Sequence, residues 1–310
     1  MIISASYRTD IPTFYGRWFL NRLNAGYCKT VNPYNQQILR VSLTREAVDG
    51  FVFWTKNIGP FLPMLAEVHR RGYPFIVQHT ITGYPQALES AVVDAETAVG
   101  HLRRIAEQYG PRVAVWRYDP IVMTSITEAD QQFATIERLA KQLAGATDEV
   151  VVSVVNAYAK TRRNLAIAAK QHGLIWYHPS QSWFQQFLER IAACVGRFGI
   201  RLTVCSQPVY LTSQVREARC VDAARLADIA GHPLSTPLQG NRPGCACYQS
   251  RDIGEYDTCP HGCVYCYAVR NRQTALQRYR RHDPEGEFLF PPTGLLEKDS
   301  SSARRSLFDG

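Results

Sequence analysis

No stretch of this 310-residue chain approaches the roughly 18 consecutive apolar residues that a membrane-spanning helix requires. Residues 1–8 lack a basic segment followed by a long apolar run, so no secretory signal is expected and the chain reads as cytoplasmic. No internal repeat is present. The only compositionally biased segment, 298–310, is rich in Ser, Arg, Asp and Lys and reads as a frayed or disordered tail. Acidic residues are in deficit: 35 Lys and Arg against 27 Asp and Glu give a formal net charge of +8. That balance admits anionic partners, nucleic acid among them, without requiring them. Disulfides are not expected of the nine cysteines, because a reducing compartment turns thiols to metal or redox use.

The cysteines are unevenly spread, and five of the nine lie between positions 245 and 266. The run Cys259-Pro-His-Gly-Cys263-Val-Tyr-Cys266 puts three thiols in one tight loop. Three thiolates can hold three corners of a cubane iron–sulfur cluster and leave the fourth iron open to another ligand. The competing reading is a zinc ribbon built from Cys245, Cys247, Cys259, Cys263, Cys266 and His261. Zinc sites usually pair one C-x2–4-C with a second, and the x3–x2 triplet departs from that. Cys205, Cys220, Cys245 and Cys247 form a further group that can hold an auxiliary cluster, bind zinc, or remain free. Cys28 and Cys194 read as structural, the latter on an apolar helix face with Phe187, Ile191 and Phe198.

Short apolar runs alternate with amphipathic segments. Strands are expected at 2–6, 51–55, 75–80, 112–118, 149–155 and 201–205, with a candidate seventh at 252–258 leading into the cysteine loop. Helices are expected at about 13–25, 60–71, 94–109, 127–144 (Thr127 as N-cap), 160–172, 183–198 and 222–231. A β-hairpin is expected over 28–44, turning at Asn32-Pro33-Tyr34-Asn35. This alternation predicts an α/β fold: a parallel sheet with outer helices, forming a partial or complete (β/α) TIM-like barrel. Residues 1–205 supply the barrel strands and helices, 206–290 a Cys-rich segment completing it, and 291–310 a flexible tail.

Parallel sheets and barrels place their sites at the carboxyl ends of the strands. The candidates there are Tyr7, Arg8 and Asp10; Lys56 and Asn57; His79, Thr80 and Thr82; Arg117 and Asp119; Ser153 and Asn156. Any one of them is as readily a loop hydrogen bonder as a functional group, and it is their convergence that points to a site. Arg270, Arg272, Arg278, Arg280 and Arg281 follow the cysteine loop, either as a solvated helix face or as a phosphate-contacting stripe.

The triplet Cys259-x3-Cys263-x2-Cys266 resembles the signature of the radical S-adenosylmethionine (SAM) superfamily, and Tyr265-Cys-Tyr-Ala268 is similar to the spore photoproduct lyase group of DNA-repair enzymes. The longer string from Ser250 to Ala268 resembles the family catalogued as domain of unknown function 1848. So do Ile-Ser-Ala-Ser-Tyr-Arg-Thr-Asp-Ile-Pro at 3–12, Phe-Trp-Thr-Lys-Asn at 53–57 and Arg-Tyr-Asp-Pro at 117–120. The resemblance implies a [4Fe–4S] cluster on Cys259, Cys263 and Cys266, with SAM on the open iron and Tyr265 packed against its adenine. It implies reductive cleavage of SAM to a 5′-deoxyadenosyl radical that abstracts hydrogen from a small-molecule or nucleic-acid substrate, with ferredoxin or flavodoxin as electron donor. Arg8, Asp10, Lys56, Arg117 and Asp119 are then candidate catalytic residues, and Asn57, His79 and Ser153 candidate cofactor contacts. The cysteine loop follows the first strand in most of that superfamily and the last strand here, which implies a circularly permuted barrel. The alternative reading is a zinc-stapled, non-catalytic nucleic-acid-binding protein.

Overall fold

The computed structural model describes residues 1–32 and 35–292. The tail at 293–310 and the hairpin tip Pro33-Tyr34 lie outside the described residues. Among the described residues eight strands form one sheet in the order β10–β1–β4–β5–β6–β7–β8–β9, and every neighbouring pair is parallel. They are β1 (Ile2–Ala5), β4 (Gly50–Thr55), β5 (Phe75–Thr80), β6 (Ala114–Ile121), β7 (Glu149–Val154), β8 (Arg201–Val204), β9 (Arg216–Glu217) and β10 (Ser250–Asp252). The hairpin β2 (Tyr27–Val31) and β3 (Ile38–Ser42) stands apart as a two-stranded antiparallel sheet. The fold is therefore α/β with a parallel sheet and flanking helices, and no ladder joins β9 to β10 among the described residues.

Side-chain alternation sorts each strand into two faces, as the period of two requires. Phe51 and Phe53, Phe75 and Val77, Trp116 and Tyr118, and Val150 and Val152 pack into the large core beneath the helices. There Phe19, from α2 (Gly16–Ala25), meets Phe51, Phe53 and Phe61 edge-on at 5.3 to 5.4 Å between ring centres. Each such fully buried aromatic contributes about 1.5–3 kcal/mol. On the other face Ile2, Val52, Ile76, Val115 and Val151 share a second core with Cys205, Cys220 and Cys247. One residue pair further along the strands, Ser4, Trp54, Gln78, Arg117 and Ser153 follow on that same face, beneath the carboxyl edge.

The helices are α1 (Ile11–Phe14), α2, α3 (Leu62–Arg70), α4 (Ala95–Tyr109), α5 (Ala129–Leu143), α6 (Ala159–His172), α7 (Gln181–Gly196), α8 (Ala223–Ala230) and α9 (Arg272–Arg280). Two local expectations are corrected. Glu128, not Thr127, caps α5, through a capping box with Gln131, while the Thr127 hydroxyl turns inward to Thr124 and the Val122 carbonyl. The strand expected at 252–258 is β10, which ends at Asp252. Beyond it the Ile253 amide still donates to the Ser4 carbonyl (3.0 Å), and Asp252 accepts from Ser4 Oγ (2.9 Å), Ser6 Oγ (2.7 Å) and the amides of Tyr7 and Gly254. One buried carboxylate thus joins β10 to the end of β1. The pairing of β10 beside β1 puts the strand that leads into the cysteine loop next to the first strand of the chain. Among the described residues no helix is long and apolar enough to cross a membrane.

Candidate functional site

A cavity of about 410 Å³ opens at the carboxyl edge of the sheet. Cys259, Cys263 and Cys266 line it, and so do Cys205, Cys220, Cys245 and Cys247. The loop carrying the first three is held by its own chemistry. Gly262 has φ +77°, and a Cβ there would lie 2.2 Å from Ser90 Oγ and 2.6 Å from Arg272 Cδ, so only glycine fits. His261 places Nε2 2.8 Å from Asp10 Oδ2 and Nδ1 3.0 Å from the Ala91 carbonyl oxygen. Arg272 donates to the Pro260 carbonyl and Arg278 to that of Tyr256, while Arg270 pairs with Asp257. Three of the five arginines downstream of the loop therefore brace it. Burial first, then the neighbouring sulfurs and Asp10, push the Cys259 thiol well up; Cys266 is raised by burial too.

Asp10 is a positioning group. Its carboxylate accepts from the Thr13 amide (2.8 Å) as cap of α1, from the Lys56 amide (2.8 Å) and from Thr55 Oγ1 (3.1 Å), besides facing His261. Burial opposes its ionisation, but His261 and the two amides outweigh burial and hold the carboxyl below its usual range. It ties the ends of β1 and β4 to the cysteine loop.

The Lys56 ammonium lies 2.8 Å from Glu89, whose same oxygen accepts from Thr82 Oγ1 (2.7 Å) and the Tyr265 hydroxyl. Burial disfavours the Lys56 charge, yet Glu89 and the Cys263 sulfur more than compensate and raise its pKa. The Tyr265 ring lines the cavity with its hydroxyl anchored to Glu89. Arg8 lies between the rings of Tyr7 and Tyr256, 5.6 and 5.3 Å from their centres, and 3.8 Å from Asp252.

Arg117 donates to Asp119, to Gln78 Oε1 (3.1 Å) and to Cys220 Sγ (3.1 Å). Ser153 donates to the other oxygen of Asp119. Burial opposes the charges on Arg117 and Asp119, but the Cys220 sulfur and then Asp119 keep the arginine raised, and Arg117 and Ser153 keep the aspartate lowered.

Arg8, Asp10, Lys56, Arg117, Asp119, Ser153 and Tyr265 thus line one cavity. Asn57 and His79 do not reach it. Asn57 Oδ1 accepts from the Gly59 amide. His79 is fully buried on the helix-facing side of β5, in step with Phe75 and Val77, while Gln78 and Thr80 point the other way. Alternation along β5 is the signal that selects Gln78 over His79. Glu89 and Asp252 were missed as well. Glu89 lies in a loop with no periodicity to mark it, and its partners come from 33 residues upstream and 176 residues downstream.

Among the described residues, no group of three or more His, Cys, Asp or Glu side chains is set, as it stands, to hold a single metal ion. The trio nevertheless has the donor chemistry of an iron–sulfur ligand set: soft sulfurs, mutually close enough to disfavour one another's ionisation, with the Ala268 amide donating to Cys266 Sγ at 3.4 Å.

No curated protein matches the chain significantly. The family model described as "Domain of unknown function (DUF1848)" matches residues 2–268, a span that takes in the sheet, the cavity and all three loop cysteines. The chain belongs to the DUF1848 family.

Proposed function

We propose that this protein is a radical SAM enzyme, with Cys259, Cys263 and Cys266 holding a [4Fe–4S] cluster. The observation that carries the reading is the shared cavity, in which the three-thiol loop faces strand-end charges at the carboxyl edge of a parallel sheet. When bound, the cluster would supply one electron to the sulfonium of SAM, giving methionine and a 5′-deoxyadenosyl radical able to abstract hydrogen from substrate. The residues of this chain bind, orient and shield. Asp10 and His261 fix the loop against the ends of β1 and β4. Lys56 and Glu89 hold the Tyr265 ring in the wall. Arg8 is a cation available to a carboxylate or phosphate, since its ion pair with Asp252 is loose at 3.8 Å and its Nε has no hydrogen-bond partner among the described residues.

We further read the sheet as a permuted partial barrel. In support, the Tyr248 amide, just before β10, donates to the Val221 carbonyl, just after β9, at 3.0 Å. Side chains from β1, β4, β5, β6 and β7 also share one inner core with Cys205, just after β8.

The test is anaerobic reconstitution with iron and sulfide, followed by dithionite and SAM. The expected product is 5′-deoxyadenosine, and Cys263→Ala should lower its formation at least about 100-fold. A reconstituted wild-type chain that forms none would sink the reading.

A further inference from the structure

The cavity has a second wall of sulfur. Cys205 follows β8 and Cys220 follows β9, at one edge of the sheet; Cys245 and Cys247 precede β10, at the other. Cys220 Sγ lies 3.4 Å from Cys205 Sγ, and the Cys247 sulfur lies close enough to those of Cys220 and Cys245 to interact with both. The four thiols therefore form one chain of contacts, 205–220–247–245, drawn from three separate segments.

What surrounds them is equally specific. Arg117 Nη1 donates to Cys220 Sγ at 3.1 Å, Arg242 Nη2 to Cys205 Sγ at 3.6 Å, and the Val221 amide to Cys247 Sγ at 3.3 Å. A neutral thiol is a weak acceptor. Two guanidinium groups and a backbone amide aimed at three sulfurs suit sulfur that carries negative charge, as thiolates bound to a metal do. These donors are also what a buried set of four thiolates would need to limit its charge.

We propose that Cys205, Cys220, Cys245 and Cys247 bind a thiophilic metal centre, either zinc or a second iron–sulfur cluster, that clamps the two edges of the sheet together. No strand ladder spans that gap among the described residues, and the metal adds a covalent cross-link to the backbone bond from the Tyr248 amide to the Val221 carbonyl. As thiols the four are strung out rather than gathered about one point. Binding releases their protons and draws the sulfurs round the metal by side-chain rotation. Tetrahedral Zn–S bonds of about 2.3 Å hold sulfurs about 3.8 Å apart, a few tenths of an ångström beyond the 3.4 Å between Cys205 and Cys220, so that pair needs little movement. The proposal does not depend on the reading of Cys259, Cys263 and Cys266.

The experiment is metal analysis of the full chain, purified anaerobically from medium supplemented with zinc and iron. In a Cys259→Ala/Cys263→Ala/Cys266→Ala variant the expected result is a metal retained in stoichiometric amount, and added Cys220→Ser and Cys247→Ser substitutions should remove it. Zinc without colour identifies a zinc site; iron with sulfide and absorption near 400 nm identifies a cluster. Stripping the metal from the triple variant with a chelator should lower its melting midpoint by about 5 °C or more. A folded triple variant with neither zinc nor iron overturns the proposal, as does a mass loss showing a Cys205–Cys220 disulfide in its place. Should the triple variant fail to fold, Cys220→Ser/Cys247→Ser in the otherwise wild-type chain decides: loss of zinc or of iron relative to wild type upholds the proposal, and unchanged metal content overturns it. Failure of the radical SAM reading shows separately, as absence of 5′-deoxyadenosine from the wild-type chain.

Discussion

Lys56 shows how much a single buried charge depends on its partner. Its side chain is 11 % exposed and that of Glu89 4 %, so neither can turn to bulk water for compensation. The pair persists because Glu89 Oε1 also accepts from Thr82 and Tyr265, which with the ammonium satisfies that oxygen. Lys56→Met leaves that carboxylate buried without a cation and should cost about 3–5 kcal/mol, read as a fall in the denaturant midpoint. Adding Glu89→Gln removes the stranded charge and should recover more than half of the loss. Equal destabilisation in the single and double variants would show that the cost is one of packing. Lys56 was legible from the sequence as a polar residue just beyond a strand. Glu89 was not, because nothing local marks a loop glutamate whose partners come from two distant segments.

The cysteine loop is the element in which local and tertiary constraints coincide. Its cysteine spacing, its glycine and its histidine all stand in the sequence, but the reasons for two of them are tertiary. Gly262 is needed because its backbone is left-handed and because Ser90 and Arg272 crowd the space a Cβ would take. Gly262→Ala should cost about 1–3 kcal/mol and displace the loop. Reconstituted protein should then carry less iron per chain than wild type, with far-UV circular dichroism unchanged; wild-type iron content would show that the loop tolerates the shift. The arginines after the loop left two readings open, a solvated face and a phosphate stripe. The structure gives Arg270, Arg272 and Arg278 a third role, bracing residues 256–260.

A residue outside the cavity contributes to the acid sensitivity of the whole molecule. Burial beneath the helices drives the His79 pKa down to about 3. An unfolded chain takes up that proton near pH 6.5, and the folded chain does not until far lower. The contribution is therefore intact above pH 6.5 and drains away as pH falls toward 3, at about 1.4 kcal/mol per unit, or about 2.7 kcal/mol by pH 4.5. Stability of the wild type should fall across that window, and His79→Gln should flatten the slope by about one proton, whatever its cost at neutral pH. An unchanged slope would show that other groups govern the loss.

The sequence by itself determined the elements and their polarity. Apolar runs and amphipathic periods mark six of the sheet's strands, β1 and β4 through β8, and the helices between them, because burying a strand face or a helix stripe demands a local pattern. The same patterning predicted that polar residues would gather at strand ends. Only the tertiary structure decided which of them share a cavity, because alternation of side chains and parallel register turn Gln78 and Arg117 inward and His79 outward. It also decided the short edge strands, β9 at Arg216–Glu217 and β10 at Ser250–Asp252, which are too brief to carry a period. And it brought four cysteines from three separate segments onto one wall, since contact between distant residues is fixed by how the sheet folds round and by nothing written locally.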